Sequence, residues 1–355
     1  MLTWWTGLAD APPHEAHALH ALGLGFMAAR TLHVALELRL FTHLAPGSQT
    51  LTHIANALAL AERAAGRLIY ACAALGLVQA TGDNFGNTPL TQKYLVEGKP
   101  TFIGSYLRLF DALGYHRWEQ MSEALRRNGP VDDLSHPYRY LADDVEDATT
   151  FSAAQHAGSR SLGHALARRV DFTPFTCLLD LGGGSGAYTV EILRRYPHLR
   201  AILFDFPQVG RLAEAVMRQE GLTDRVHIVG GDYERDALPA GPDVVLWSGN
   251  LHASSPESCR RVLTRLHDLL PPGGMVLIHD YVLDDSRSGP LIPALLALHL
   301  TLVSEHGQVY SGAELRDLLA QAGFEDVQIE PFLIGHSSLV IAQREGRNTR
   351  GKEHR

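Results

Sequence analysis

Apolar positions in the first third of the chain recur at helical spacing. Leu32, Ala35, Leu36, Leu40 and Leu44 fall on one face, and residues from about 14 to 128 read as helical. Thr50-Leu51-Thr52 opens a further helix with threonine as the N-cap, and a second runs from Ala61-Glu62-Arg63 through Leu75. Leu77-Val78-Gln79-Ala80 followed by Thr81-Gly82-Asp83-Asn84 reads as a short strand and a turn. Helix, turn, helix and small hairpin is the outline of a winged helix.

From about residue 165 the pattern changes to short apolar runs alternating with helical segments. The runs at 177–181, 201–205, 226–229, 244–247 and 275–278 predict five strands of a parallel sheet with helices on both faces. Two closing strands, 327–332 and 338–342, are joined only by the turn Ile334-Gly335-His336 and must pair antiparallel. Pro130, Pro137 and the acidic run Asp143-Asp144-Val145-Glu146-Asp147 mark a boundary. The expected organisation is a helical winged-helix domain (1–128), a linker and helical connection (129–164), an α/β domain (165–343) and a polar, basic, disordered tail (344–355).

Composition narrows the partners. The formal net charge of -8 argues against nucleic acid or an anionic membrane, which need a basic footprint. The second helix of the winged-helix outline carries Arg63 and Arg67, then Leu68, Ile69, Tyr70, Ala71 and Cys72, a surface that suits burial better than a phosphate backbone. The opening Met1-Leu2-Thr3-Trp4-Trp5-Thr6-Gly7 lacks the basic start and long apolar core of a signal peptide. No uncharged apolar stretch reaches the length of a membrane span; 291–303 comes closest and contains Pro293 and His299. Cys72, Cys177 and Cys259 are far apart and form no CxxC, which predicts reduced thiols in a cytoplasmic protein and no metal site.

The chemistry centres on one loop. The first strand runs into Gly182-Gly183-Gly184-Ser185-Gly186-Ala187, where a helix begins, and glycines there let the backbone turn sharply and approach a ligand. Asp205 ends the second strand, where a carboxylate accepts hydrogen bonds from ribose hydroxyls. Three features favour S-adenosylmethionine (SAM) over NAD: Asp180 directly precedes the loop in Asp-x-Gly-x-Gly-x-Gly, Gly231-Asp232-Tyr233 follows the third strand as an adenine site, and the sheet closes in an antiparallel pair. No GxxxxGK[ST] phosphate loop occurs.

With these residues the chain resembles the plant-type small-molecule O-methyltransferases, the caffeic acid and hydroxyindole group and its bacterial natural-product branch, from about residue 20 to 343. Residues 179–186 resemble the family's first motif, Phe204-Asp205-Phe206-Pro207 its ribose segment, Gly231-Asp232-Tyr233 its adenine segment and Pro271-Pro272-Gly273-Gly274 its turn before strand five. The resemblance implies a Rossmann-like class I methyltransferase sheet, an N-terminal winged-helix dimerisation domain, a homodimer and metal-independent methyl transfer from SAM to a small-molecule acceptor. It implies cofactor contacts at Asp180, Gly182, Gly184, Asp205, Phe206, Asp232, Tyr233 and Ser248.

His252, in Ser248-Gly249-Asn250-Leu251-His252, lies past the fourth strand at the carboxyl edge of the sheet, where open α/β folds bind ligands. It matches the family's catalytic histidine, which implies a general base, and Asp280 falls where the family has a glutamate that orients it. A second family glutamate aligns with Val309, which cannot orient an imidazole; Ser248 and Gln155 also replace common family residues. Candidate pocket walls are Tyr106, Phe110, Trp118, Phe151, Gln155, His299 and Val309, with Tyr115, His116 and His306 nearby in sequence. The expected function is methylation of an aromatic or enolic hydroxyl in specialised metabolism. C- or N-methylation on the same fold is the alternative, since carbon and nitrogen nucleophiles need less base help, and a SAM-binding protein with little transferase activity is a third.

Overall fold

A computed structural model describes residues 16–99, 101–132, 138, 145–333 and 335–345. The chain falls into two compact units that divide between Leu113 and Gly114.

The first unit contains α1 (Ala16–Gly23), α2 (Gly25–Glu37), α3 (Leu40–His43), β1 (Gln49–Thr50), α4 (Leu51–Ala57), α5 (Glu62–Ala74), the hairpin β2 (Val78–Thr81) and β3 (Asn84–Asn87), α6 (Pro89–Tyr94) and α7 (Gly104–Phe110). The Thr50 side chain caps α4 by accepting from His53 N at 3.3 Å. The small sheet has order β1-β3-β2; its first strand is two residues long, too short to leave a periodic signal. Ala35, Leu36, Leu40, Leu44, Ile69 and Cys72 are fully buried in this unit's own core.

Leu19, Leu22, Leu24, Phe26, Met27, Tyr70 and Leu90 are exposed in this unit. Ala21, Leu24, Met27, Ala28, Ala71 and Leu75 line an open apolar cavity of about 450 Å³. Ala18–Glu37 has the length and apolar composition of a membrane span, though Arg30 interrupts it and pairs with Asp111 at 2.7 Å.

The second unit contains α8 (His116–Trp118), α9 (Met121–Arg127), the long α10 (Val145–Arg169), β4 (Cys177–Leu181), α11 (Ala187–Arg195), β5 (Arg200–Asp205), α12 (Pro207–Gln219), β6 (Val226–Gly230), β7 (Val244–Ser248), α13 (Pro256–Leu269), β8 (Met275–Asp280), α14 (Leu291–Val303), α15 (Gly312–Gln321), β9 (Phe324–Leu333) and β10 (Ser337–Arg344). The sheet order is β6-β5-β4-β7-β8-β10-β9; β10 runs antiparallel to both neighbours and the other pairs are parallel. Leu179, Leu181, Val245 and Trp247 face one helical layer, and Leu178, Val244 and Leu246 face the other. Burial on both faces is why these strands read as continuous apolar runs.

Three expected boundaries move. Residues 114–128 fall in the second unit, where α8 and α9 pack on α14. Helix α10 runs unbroken past 164; a Cβ at its Gly163 would lie 2.8 Å from Tyr188 Cα, so the glycine allows α10 to pack tightly on α11. Arg344, expected in the tail, closes β10, with its N–H donating to Gly274 O at 2.8 Å. Pro137, Asp143, Asp144, Ile334 and the tail from 346 lie outside the described residues.

Candidate active site

The carboxyl ends of β4 and β5 form the first half of the site. Past Leu181 the backbone turns through Gly182, Gly184 and Gly186 at φ of 67°, 57° and 75°. A Cβ on Gly182 would lie 2.5 Å from Asn250 Nδ2. That amide donates to Gly182 O at 2.9 Å and to Ser248 O at 3.0 Å, tying the glycine loop to the chain after β7. At Gly184 a Cβ would meet nothing within 4 Å, so here the loop borders open space.

Asp205 accepts from Gly184 N through Oδ2 and from Phe206 N through Oδ1, each at 2.7 Å. Each oxygen keeps lone-pair capacity for a ligand hydroxyl. Burial outweighs the two N–H bonds and pushes the carboxyl up to about 6. Asp180 is buried; its Oδ2 accepts from the Thr189 hydroxyl at 2.6 Å, while Oδ1 has no partner among the described residues. Burial again pushes the carboxyl up to about 6, with the Asp205 charge adding to it. An orphaned buried acceptor beside an open glycine turn fits a ligand that brings hydrogen-bond donors.

Asp232 and Tyr233 follow β6. Asp232 Oδ1 accepts from Glu234 N at 2.9 Å, which shapes the turn. The Tyr233 ring sets its edge on Trp247, with centroids 5.7 Å apart, and lies 3.5 Å from where a Gly182 Cβ would be. Ser248 ends β7 half-buried.

The second half of the site starts at the ends of β7 and β8. His252 sits on a 3-10 turn, Leu251–Ala253, and is 4% exposed. Its Nδ1 lies 2.7 Å from Asp280 Oδ1, and its backbone N–H donates to Oδ2 at 3.3 Å. Tyr281 N adds a third donor to Asp280 at 2.7 Å. Burial pushes the Asp280 carboxyl up, but the His252 charge and these hydrogen bonds outweigh it and hold it below the ordinary carboxylate range. With Nδ1–H of a neutral ring donating to the carboxylate, Nε2 presents its lone pair to the Tyr138 hydroxyl 3.1 Å away, and the same hydroxyl lies 3.5 Å from Gly249 O. Tyr138 also packs with Phe151, Phe206 and Val209, so one aromatic cluster reaches from Asp205 to His252.

Of the expected pocket residues, Phe151 joins that cluster and Val309 is buried with Leu283 and Leu300. Gln155 is half-buried on α10, beside His156, whose Nδ1 is 2.8 Å from the Ser185 hydroxyl. Trp118 and His299 are bonded to each other at 3.1 Å. Tyr106 and Phe110 lie on α7 in the first unit, and nothing is described of the Phe110 side chain. His306 lies against exposed Glu305, and among the described residues no three His, Cys, Asp or Glu gather.

Sequence reasoning missed Tyr138 and Asn250. Tyr138 stands in a connection with no periodicity. Asn250 was quoted only as part of the His252 segment, although an amide just past a strand end is well placed to bind backbone.

Comparison with known proteins fixes the family. Residues 119–325 match the O-methyltransferase domain, and residues 21–97 match the O-methyltransferase dimerisation domain. The chain is 33% identical over 321 residues to the 3-hydroxy-5-methyl-1-naphthoate 3-O-methyltransferase of Streptomyces sahachiroi, covering 90% of this chain and 93% of that protein. It is 31% identical over 325 residues to the N,N-dimethyltransferase OxyT of Streptomyces rimosus, covering 90% and 94%. The crystal structure of human N-acetylserotonin methyltransferase in complex with SAM is similar with a TM-score of 0.83 at 25% identity, covering 94% of this chain and 99% of that one. Glycine loop, terminal acids, closing antiparallel pair and helical first unit thus belong together: the chain is a member of the SAM-dependent O-methyltransferase family.

Proposed function

We propose that this enzyme methylates the hydroxyl of a phenolic or enolic small molecule, with His252 as general base and Asp280 as its orienting partner. The observation that carries the reading is the chain of contacts from Tyr138 through His252 to Asp280. A phenolic hydroxyl already lies 3.1 Å from Nε2, the arrangement an acceptor phenol needs in order to lose its proton.

A phenol with a pKa of about 10 is ionised to roughly one part in a thousand at neutral pH. A base in place contributes roughly a hundred- to ten-thousand-fold. His252 takes the proton at Nε2, and Asp280 stabilises the imidazolium that results. Bound SAM supplies the methyl group on a sulfonium. Asp205 would hold the ribose hydroxyls through the remaining lone pairs of its two oxygens, and the unpartnered Oδ1 of Asp180 would accept from a cofactor donor beside the glycine loop. The buried surroundings of His252 keep water from the reacting oxygen.

N-methylation is the second reading. Val309 leaves the imidazole with one carboxylate, and the relative OxyT is named as an N,N-dimethyltransferase. A neutral amine needs no base, so the two readings part on His252. The deciding experiment is transfer from methyl-labelled SAM to a panel of phenols, enols and aryl amines. Label on oxygen, with a histidine-like acid limb in the pH–rate profile, is expected; label on nitrogen alone overturns the reading.

Homodimerisation fits the dimerisation-domain match and the exposed apolar side chains of α1 and α2. Light scattering should give a dimer at micromolar concentration, and Phe26→Asp should shift it toward monomer. The three free thiols suit a cytoplasmic enzyme.

A further inference from the structure

Helix α14 is apolar apart from His299 and Thr301. It stands beside His252. The Tyr281 ring lies 5.7 Å from the His252 ring and packs in one cluster with Leu300, Ala297 and Val303 of α14. The chain leaving α14 also touches the base, since a Cβ on Gly307 would lie 2.9 Å from His252 O.

His299 is held in one state there. The indole N–H of Trp118 lies 3.1 Å from His299 Nδ1, and the two rings are 12° from coplanar with centroids 6.3 Å apart. That separation fits rings lying side by side along an in-plane hydrogen bond, not rings stacked face to face. Indole N–H only donates, so Nδ1 is the acceptor and a neutral imidazole carries its proton on Nε2. Burial, the Arg117 charge and the His252 charge all push the His299 pKa down, which keeps the ring neutral. Among the described residues no side chain takes the Nε2 proton. The result is a fixed neutral donor in an apolar wall next to the base.

We propose that His299, locked by Trp118, is a specificity-determining residue: its Nε2–H donates to a carbonyl oxygen carried by the same small molecule whose hydroxyl is methylated at His252. The inference rests on the O-methylation reading and names its acceptor class, a hydroxyaryl ketone or related phenol with a second, carbonyl oxygen. An apolar wall tolerates a plain naphthol, but only the carbonyl-bearing acceptor gives the fixed donor a partner.

The test compares positional isomers of hydroxyacetonaphthone with 1-naphthol and 2-naphthol. In the wild type the best ketone should exceed its matched naphthol about ten-fold in kcat/KM, mainly through KM. In His299→Leu that ratio should fall to within about two-fold, the ketone losing more than its matched naphthol. Trp118→Phe keeps a ring but frees the imidazole to change tautomer, so the ratio should fall part-way. Calorimetric SAM affinity checks that each variant is folded; if His299→Leu fails that check, Trp118→Phe decides. An unchanged ratio in the deciding variant, or a wild type with no preference for the ketones, overturns the proposal. His252→Ala separates the two claims: it should lower turnover of ketone and naphthol alike and leave their ratio intact.

Discussion

The two halves of the site are built by different means. The cofactor half is made of backbone: three glycines at positive φ, and a carboxylate whose oxygens are set by two neighbouring N–H groups. Its parts come from adjacent strands in parallel register, Leu181 opposite Phe204. The acceptor half is made of side chains from distant segments: Tyr138, His252 with Asp280, and Trp118 with His299. A backbone site depends on where strands end. A side-chain site depends on identities that can change without disturbing the sheet. The proposed choice of acceptor therefore rests on individual side chains in a way the proposed cofactor site does not.

The sharpest break of that comparison is His252→Ala. Turnover should drop roughly a hundred-fold or more, because the proton on the acceptor loses its base, while SAM affinity stays near wild type. A loss under about three-fold with the true acceptor would falsify the base assignment and favour N-methylation.

Asp205→Ala should do the reverse. Removing the carboxylate proposed to take two ribose hydroxyls costs about 2–3 kcal/mol, or roughly 30- to 160-fold in Kd, with little change in kcat at saturation. Calorimetry at wild-type affinity would sink the ribose assignment. Asp280→Asn comes next. The imidazole keeps its seat through the backbone bond to His252 N but loses the charge that stabilises imidazolium, so kcat should fall roughly ten-fold. The double variant with His252→Ala should be no worse than His252→Ala alone, since both act through one ring; additive losses would show that Asp280 acts independently.

The same division explains what was legible in the sequence. Apolar runs gave the seven strands of the large sheet; the signal is strongest in β4, β5, β7 and β8, which are buried on both faces, while the two-residue β1 left none. His252 and Asp280 were legible as a pair only through the family resemblance; the structure supplies the physical reason, since neighbouring strands β7 and β8 end together with Ser248 opposite His279. Tyr138 was not legible, since no pattern in a proline-bounded connection says where one ring will fold back. Trp118 and His299 were named one by one as pocket candidates, and only their mutual hydrogen bond gives them a joint role.

Proton linkage gives a smaller effect on the cofactor side. The Asp205 carboxyl stands at about 6 in the unliganded chain, raised from 3.8 by burial. Ribose hydroxyls donate to the ionised form, so binding favours loss of the proton. Affinity should be full above about pH 6 and fall as pH drops through it, by at most about ten-fold per unit. For the unliganded fold the sign is opposite: the raised carboxyl stabilises it at low pH, and that contribution is lost as pH rises through about 6. SAM should therefore raise the melting temperature more at pH 7 than at pH 5. Equal shifts at both would show that Asp205 does not titrate on binding.

The smallest effect returns to the acceptor side. The Tyr138 hydroxyl lies 3.1 Å from the Nε2 that the acceptor is proposed to use. The two phenols compete for one site, so the acceptor exchanges a hydrogen bond rather than gaining one. Tyr138→Phe removes the competitor and keeps the ring that packs on Phe151 and Phe206. A net hydrogen bond of about 0.5–1.5 kcal/mol is then no longer lost on binding, and acceptor KM should fall about two- to ten-fold with kcat unchanged. A cofactor-side role would move the SAM Kd instead. A rise in KM, or a loss of kcat, would mean that Tyr138 helps to hold the acceptor, and the phenol on His252 would no longer stand in for the substrate.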